Sequence, residues 1–205
     1  MGYLLSTVLG YFMGCSSMAY YVGLMKKKDI RTAGSGNLGA SNTAVLFGWG
    51  AGIGVALHDI GKSLLAVILA KWLFPSLEYA GVVAGVASVV GHIFPFYLKF
   101  KGGKGLASYF GLILALNWKL ALIVAALIVV ITVVTDFISV GAMFCAVSAP
   151  AYYAFTTHNW ILVLILCVGT AVMLYRHWEN VVRIYNRTEI GLRSTAKGEN
   201  RVDKK

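Results

Sequence analysis

The sequence predicts an all-α polytopic membrane protein with seven transmembrane helices, the amino terminus outside and the carboxyl terminus cytoplasmic. Three observations carry that prediction. Of 205 residues, 59% are hydrophobic and only 13% are Asp, Glu, Lys or Arg, and the mean hydropathy of +0.75 lies far outside soluble usage. Apolar stretches recur at the length that crosses a hydrocarbon layer. The 18 Lys and Arg, against 8 Asp and Glu, crowd at alternate ends of those stretches, as they do in loops kept on the cytoplasmic side. So little polar surface cannot solvate a globule of this size, which excludes a soluble enzyme, a disordered chain and a disulfide-stapled module. The formal charge of +10 then points to lipid headgroups and phosphorylated substrates rather than to nucleic acid.

The first span, 3–24, is too long for a signal peptide, and its basic cluster follows it instead of preceding it. Further spans are expected at 49–74, 79–96, 105–116, 118–135, 137–155 and 160–175, because a backbone without water must find its hydrogen-bond partners within a helix. The fourth is short, and only Asn117, Trp118 and Lys119 part it from the fifth, so six or five crossings are the alternatives. Charge favours seven. Inner segments then hold Lys26, Lys27, Lys28 and Arg31, next Lys99, Lys101 and Lys104, and finally eight basic residues from Arg176 to Lys205. Lys71 and Lys119 fall outside, Lys62 lies within a span, and the outer loops Pro75–Glu78 and Thr156–Asn159 carry no Lys or Arg. Gly48, Gly50, Gly52, Gly54, Gly81 and Gly85 suit close helix packing. Cys15, Cys145 and Cys167 sit in apolar runs and read as packing residues without a redox or metal role. Residues 1–181 form a single membrane-embedded domain, and 182–205 a basic cytoplasmic tail attracted to anionic lipid.

Polar side chains at depth are costly in a bilayer, so their clusters mark candidate chemistry. One is Gly34-Ser35-Gly36-Asn37-Leu38-Gly39-Ala40-Ser41-Asn42-Thr43, where three glycines among hydroxyls and amides let backbone N–H groups turn toward one anion. A flexible connector is the plainer reading, but it has no need of two Asn and two Ser alternating with Gly. The second cluster joins Gly91-His92-Ile93-Phe94-Pro95 to Lys99-Phe100-Lys101-Gly102-Gly103-Lys104-Gly105. A glycine turn with lysines at a helix start offers N–H donors, the positive dipole end and ammonium charge, which suit a phosphate. Lys99 and Lys101 can also serve the inside charge bias alone. His92 is open between a structural role and a donor or proton carrier. The third cluster is Tyr175-Arg176-His177-Trp178-Glu179-Asn180-Val181-Val182-Arg183, where His177 and Asn180 share a helix face. It is equally what any final span carries at its interface. Within the second span, Asp59 and Lys62 lie one turn apart, where pairing lowers the cost of burying both.

Other familiar chemistry is missing. The sequence has no HExxH, CxxC or GxSxG motif, and no His followed five residues later by Asp. The stretch from Ala56 to Ser63 falls short of a phosphate-binding P-loop, because Ala56 stands at the first glycine and the stretch lies in a span.

The three clusters, in this order and at these span ends, resemble the PlsY family of bacterial acyl-phosphate:glycerol-3-phosphate acyltransferases. The resemblance runs from about Tyr3 to Arg187 and includes Asp59 with Lys62. It implies seven spans in a bacterial cell membrane, an active site on the cytoplasmic side, no cofactor or metal, and a monomer without nucleic-acid partners. It also implies transfer of a fatty acyl group from acyl phosphate to the 1-hydroxyl of glycerol 3-phosphate, the first step of bacterial phospholipid synthesis. Carried residue by residue, the family pattern suggests Ser35, His92, Lys104 and Asn180 as the catalytic set. Gly36, Asn37, Gly39, Ser41, Asn42, Lys62, Lys101, Gly102, Gly103, Ser139 and His177 are then expected to bind substrate. An acyl phosphate is already activated, so the tasks are to hold two anions together, align hydroxyl with carbonyl and stabilise an oxyanion. The hydroxyl proton goes to His92 or to the departing phosphate. Three departures from the family pattern stand out. Val45 replaces an arginine that grips the acceptor phosphate, Trp178 a basic residue, and Ser16-Ser17-Met18 an Ile-Pro pair.

Val45 opens one alternative, the same fold with another phosphorylated or polyol acceptor. A transporter of phosphate or lipid-phosphate anions is a second, since it would use the same positive clusters, although the outer span ends are bare. A silent membrane scaffold is the third.

Overall fold

The computed structural model describes residues 1–193, and the last part of the expected tail, 194–205, lies outside them. Among the described residues, six helical stretches are long and apolar enough to cross a membrane: Gly2–Met25, Trp49–Leu73, Ala80–Leu98, Trp118–Thr135, Ile138–Thr156 and Trp160–Tyr185. The first is interrupted. Helix α1 (Gly2–Cys15) stops at the Ser16-Ser17 pair, and α2 (Met18–Met25) restarts with the Ser17 hydroxyl accepting from Tyr20 N–H. Serine hydroxyls compete with the backbone for such bonds, which makes a serine pair a natural break. The break strands two carbonyls that a continuous helix would use. Cys15 O instead accepts from the Tyr97 hydroxyl at 2.9 Å, and Ser16 O from the Lys62 ammonium at 2.7 Å.

A further helix, α3 (Ala40–Phe47), occupies part of what the sequence presents as a loop. It ends at Gly48, whose φ of +91° turns the chain straight into α4 (Trp49–Leu73). Gly52 lets the two helices touch, because a Cβ there would meet Ala44 and the Ala40 carbonyl. Gly50 and Gly54 face open space, so the packing role expected for that run belongs to Gly52 alone among the three. Between α2 and α3, Asp29 caps a short turn at Ile30–Thr32 and bonds the Arg31 guanidinium, which holds its carboxyl below the usual carboxylate range.

Helix α5 (Ala80–Ile93) packs on α1 through Gly10, Gly14 and Gly91, each with partner backbone where a Cβ would stand. Without water between apolar helices, such close contact supplies the attraction. Helix α6 (Leu106–Leu116) has only eleven residues yet forms the centre of the core: Tyr109, Leu112 and Ile113 are fully buried against Val67, Val89, Leu166 and Met173. It starts beside the end of α5, and Asn117, at its close, bonds the Tyr152 hydroxyl at 3.3 Å. Helices α7 (Trp118–Thr135), α8 (Ile138–Thr156) and α9 (Trp160–Tyr185) complete the bundle. Pro150, inside α8, has no N–H to give to Ala146, and that carbonyl accepts from Thr170 of α9 at 2.6 Å instead. Cys15 and Cys145 are buried, whereas Cys167 is exposed on α9.

The expected domain boundary at 181/182 falls inside α9, which runs on to Tyr185. Residues beyond it turn back onto the bundle, where Leu192 N–H donates to Asp136 O at 2.7 Å.

Candidate active site

The site lies where the break in the first helix, the middle of α4, the end of α5 and the end of α9 meet. Asn42, 4% exposed, organises the first loop. Its Oδ1 accepts from Ser35 N–H at 2.9 Å, and its Nδ2 donates to Ala33 O and Asn37 O at 3.1 Å. Both ends of the amide are thereby spent on the loop, so Asn42 shapes the cradle that Ser35, Gly36, Asn37 and Gly39 present. Gly34 (φ +59°) and Gly36 (φ +70°) supply left-handed turns that other residues adopt at a cost. Ser35 and Ser41 are exposed. Val45 is half-exposed, one turn beyond Ser41 on the same face of α3.

The second loop is fastened to the end of α5. Gly102 N–H donates to Ile93 O at 3.0 Å and Gly103 N–H to His92 O at 3.1 Å. A Cβ on Gly103 would overlap the His92 imidazole and crowd Leu38 O, so this glycine is where the first and second loops touch. Gly105 (φ +97°) opens α6. Lys104 bonds Asn180 Oδ1, which joins the second loop to the third. Lys101 is exposed, its N–H donates to Leu98 O at 3.1 Å, and its ammonium makes no hydrogen bond or ion pair among the described residues, so the structure does not bring that charge into the cluster.

On α9, Asn180 (6% exposed) passes the link onward, with Nδ2 donating to Glu189 at 2.6 Å; Glu189 in turn accepts from Arg183 at 2.5 Å. His177 is buried one turn earlier, and its Nδ1–H donates to Met173 O at 2.9 Å. In the neutral imidazole that bond leaves Nε2 without the proton. Ser139 is buried in the first turn of α8, with an Oγ that finds no partner among the described residues, as do Asn37 Oδ1 and Ser108 Oγ.

From α4, Asp59 and Lys62 pair at 2.7 Å as their spacing predicts, and they reach His92. Its Nδ1 is 2.8 Å from Lys62 Nζ and 3.4 Å from Asp59 Oδ1. His58 completes the set, with Nε2 3.0 Å from Ser16 Oγ and Nδ1 3.4 Å from Asp59.

The three loops therefore form one connected assembly. A model of the glycerol-3-phosphate acyltransferase family matches residues 4–187. The chain belongs to that family, the PlsY acyltransferases. A Coxiella burnetii protein named glycerol-3-phosphate acyltransferase is 38% identical over 193 residues, covering 92% of this chain and 97% of that one. An Oceanobacillus iheyensis protein named glycerol-3-phosphate acyltransferase 1 is 36% identical over 205 residues, with 95% and 97% covered. Among solved structures, PlsY, an integral membrane glycerol 3-phosphate acyltransferase in its glycerol 3-phosphate form, superposes with a TM-score of 0.88. It shares 26% identity, with 96% of this chain and 98% of that one covered. The same protein's lysophosphatidic acid form gives 0.84. A multi-pass membrane acyltransferase is thus the class of this PlsY relative.

The sequence alone misses Glu189, the Ser16 carbonyl and Ser108. Glu189 had a signal, as one of only three acids within a basic tail. The Ser16 carbonyl had the serine pair. Ser108 had none, because a hydroxyl one turn into an apolar helix usually bonds its own backbone.

Proposed function

We propose that this chain transfers a fatty acyl group from acyl phosphate to the 1-hydroxyl of glycerol 3-phosphate, giving lysophosphatidic acid and inorganic phosphate. The observation that carries the reading is the continuous contact from Leu38 through Gly103 and Lys104 to Asn180, which joins all three loops. Loops fastened to one another in this way suit two anions that repel each other and must react at one point. Backbone N–H groups, the Lys104 ammonium and the Asn180 amide offset that repulsion. The acceptor oxygen attacks the acyl carbon, the carbon–oxygen bond to phosphate breaks, and the hydroxyl proton ends on the departing phosphate as HPO₄²⁻. No covalent enzyme intermediate is needed, because the mixed anhydride is already activated; alignment and oxyanion stabilisation supply the rate. Ser35, His92, Lys104 and Asn180 are the residues expected at the reacting groups, with Ser139, His177 and the first loop around the substrates.

The same reading has seven crossings, with α6 as the short one, the amino terminus outside and the three loops facing the cytoplasm of a bacterial cell. The inside weighting of Lys and Arg supports it. Incubation of the purified protein with acyl phosphate and glycerol 3-phosphate, followed by phosphate release and lysophosphatidic acid by mass spectrometry, is the test. Product formation that Lys104→Ala slows about 10³-fold is expected; phosphate release without an acylated glycerol phosphate defeats the reading. Val45, half-exposed beside Ser41, favours a second acceptor as an alternative. A screen of polyols and phosphorylated polyols against one donor separates the two.

A further inference from the structure

The two ring nitrogens of His92 stand in different surroundings. On the α4 side, an ammonium group carries three N–H donors and accepts nothing. Lys62 Nζ lies 2.7 Å from Asp59 Oδ1, 2.7 Å from Ser16 O and 2.8 Å from His92 Nδ1, so each donor has a partner. In the third of these bonds Nδ1 is the acceptor, and the proton of the neutral imidazole must sit on Nε2. The alternative, an Nδ1–H given to Asp59, has only a 3.4 Å approach and would set that proton against an N–H of Lys62. His58 does not intervene, since its own contacts run to Ser16 and Asp59. On the other side of the ring, Nε2 lies over Gly103, at the seam of the first two loops, and makes no hydrogen bond among the described residues.

We propose that Lys62, held by Asp59 and the Ser16 carbonyl, is a positioning residue that fixes His92 as an Nε2–H donor aimed at the acyl carbonyl oxygen. This rests on the acyl-transfer reading above. It also gives Lys62 a different task from the substrate contact that its motif implies, because no fourth N–H remains for a phosphate. A donor preset toward an oxyanion costs no reorganisation at the moment of reaction, which is where its value lies. The helix break belongs to the device: without it, Ser16 O would accept from its own helix and Lys62 would keep an N–H to spend elsewhere.

The test uses the full chain in lipid nanodiscs with isotopically labelled histidine ring nitrogens and lysine ammonium groups, read by solid-state NMR. His92→Gln assigns the signal among the four histidines. A protonated Nε2, a bare Nδ1 and a through-space cross-peak from Nδ1 to a lysine ammonium are expected. Lys62→Met should move the proton to Nδ1, where Asp59 accepts it. The same change should lower kcat about 10²-fold, with KM for glycerol 3-phosphate within about twofold. A bare Nε2 in the unsubstituted protein, or an unchanged tautomer and kcat in Lys62→Met, overturns the assignment. Should Lys62→Met fail to fold, the cross-peak decides, and its absence overturns the assignment too. The tautomer is read without turnover, so a failure of acyl transfer would show separately.

Discussion

Both ends of this bundle are joined by hydrogen bonds, but with different partners. At the end away from the site, side chain meets side chain: Asn159 bonds Tyr79 at 3.2 Å and Glu78 at 3.3 Å, and Asn117 bonds Tyr152. Asn159 also caps α9 through Leu162 N–H at 3.1 Å. These groups lie at half-exposed or exposed positions, where water can replace any one of them. At the site end, beside the side-chain pairs already described, side chains also hold backbone groups outside regular helix. Asn42 holds carbonyls of its own loop, Lys62 holds Ser16 O, and Tyr11 and Tyr97 hold Phe94 O and Cys15 O at 2.9 Å. Irregular backbone within a membrane protein requires such partners. One end thus tolerates losing a staple, whereas the other loses its shape.

Substitutions test that contrast. Lys104→Ala should have the largest effect, slowing phosphate release from acyl phosphate about 10³-fold, since it removes charge from the reacting groups and the link to Asn180 together; a loss under about tenfold would break the contrast. Gly103→Ala, which drives a methyl into the His92 ring, should lower kcat about 10²-fold through misalignment. Glu189→Gln should cost about tenfold in rate, the worth of one charge-assisted bond, by releasing the Asn180 amide. Val45→Arg sharpens the comparison from the other direction. It should lower KM for glycerol 3-phosphate about fivefold, a modest gain because the position is half-exposed. Asn159→Ala, at the opposite end, should leave kcat unchanged and cost about 1 kcal/mol of stability in a denaturation experiment, as the loss of a helix cap does.

The spans were legible because apolar length and inside charge are repeated signals; α4, α7 and α8 fall within a residue or two of where hydropathy sets them. What was not legible depends on single polar residues that override a long pattern. Ser16-Ser17 breaks a continuous apolar stretch, and Ala40–Phe47 is helical although the glycines before it and Gly48 after it read as a loop. Helix α9 continues through Arg176, Glu179 and Arg183 because charge ends a membrane span without ending a helix. In the site, the pairing of Asp59 with Lys62 follows from spacing, since both are on one helix. That the pair turns to His92, thirty residues on from Lys62, depends on how α4 packs against α5, which no local pattern encodes.

The shortness of α6 carries a last consequence. At about 1.5 Å per residue, its eleven residues cover roughly 16 Å of a hydrocarbon layer about 30 Å thick. In the seven-crossing arrangement proposed above, the remaining depth at its start falls to the glycine turn before it, whose Gly102, Gly103 and Gly105 are buried within protein. A turn sunk in this way would lie between lipid and water. Under the acyl-transfer reading, a reactant with a fatty tail would then approach sideways from the leaflet with its polar head already at the right level, while a water-soluble one descends from above, so neither would have to leave its own solvent to meet the other.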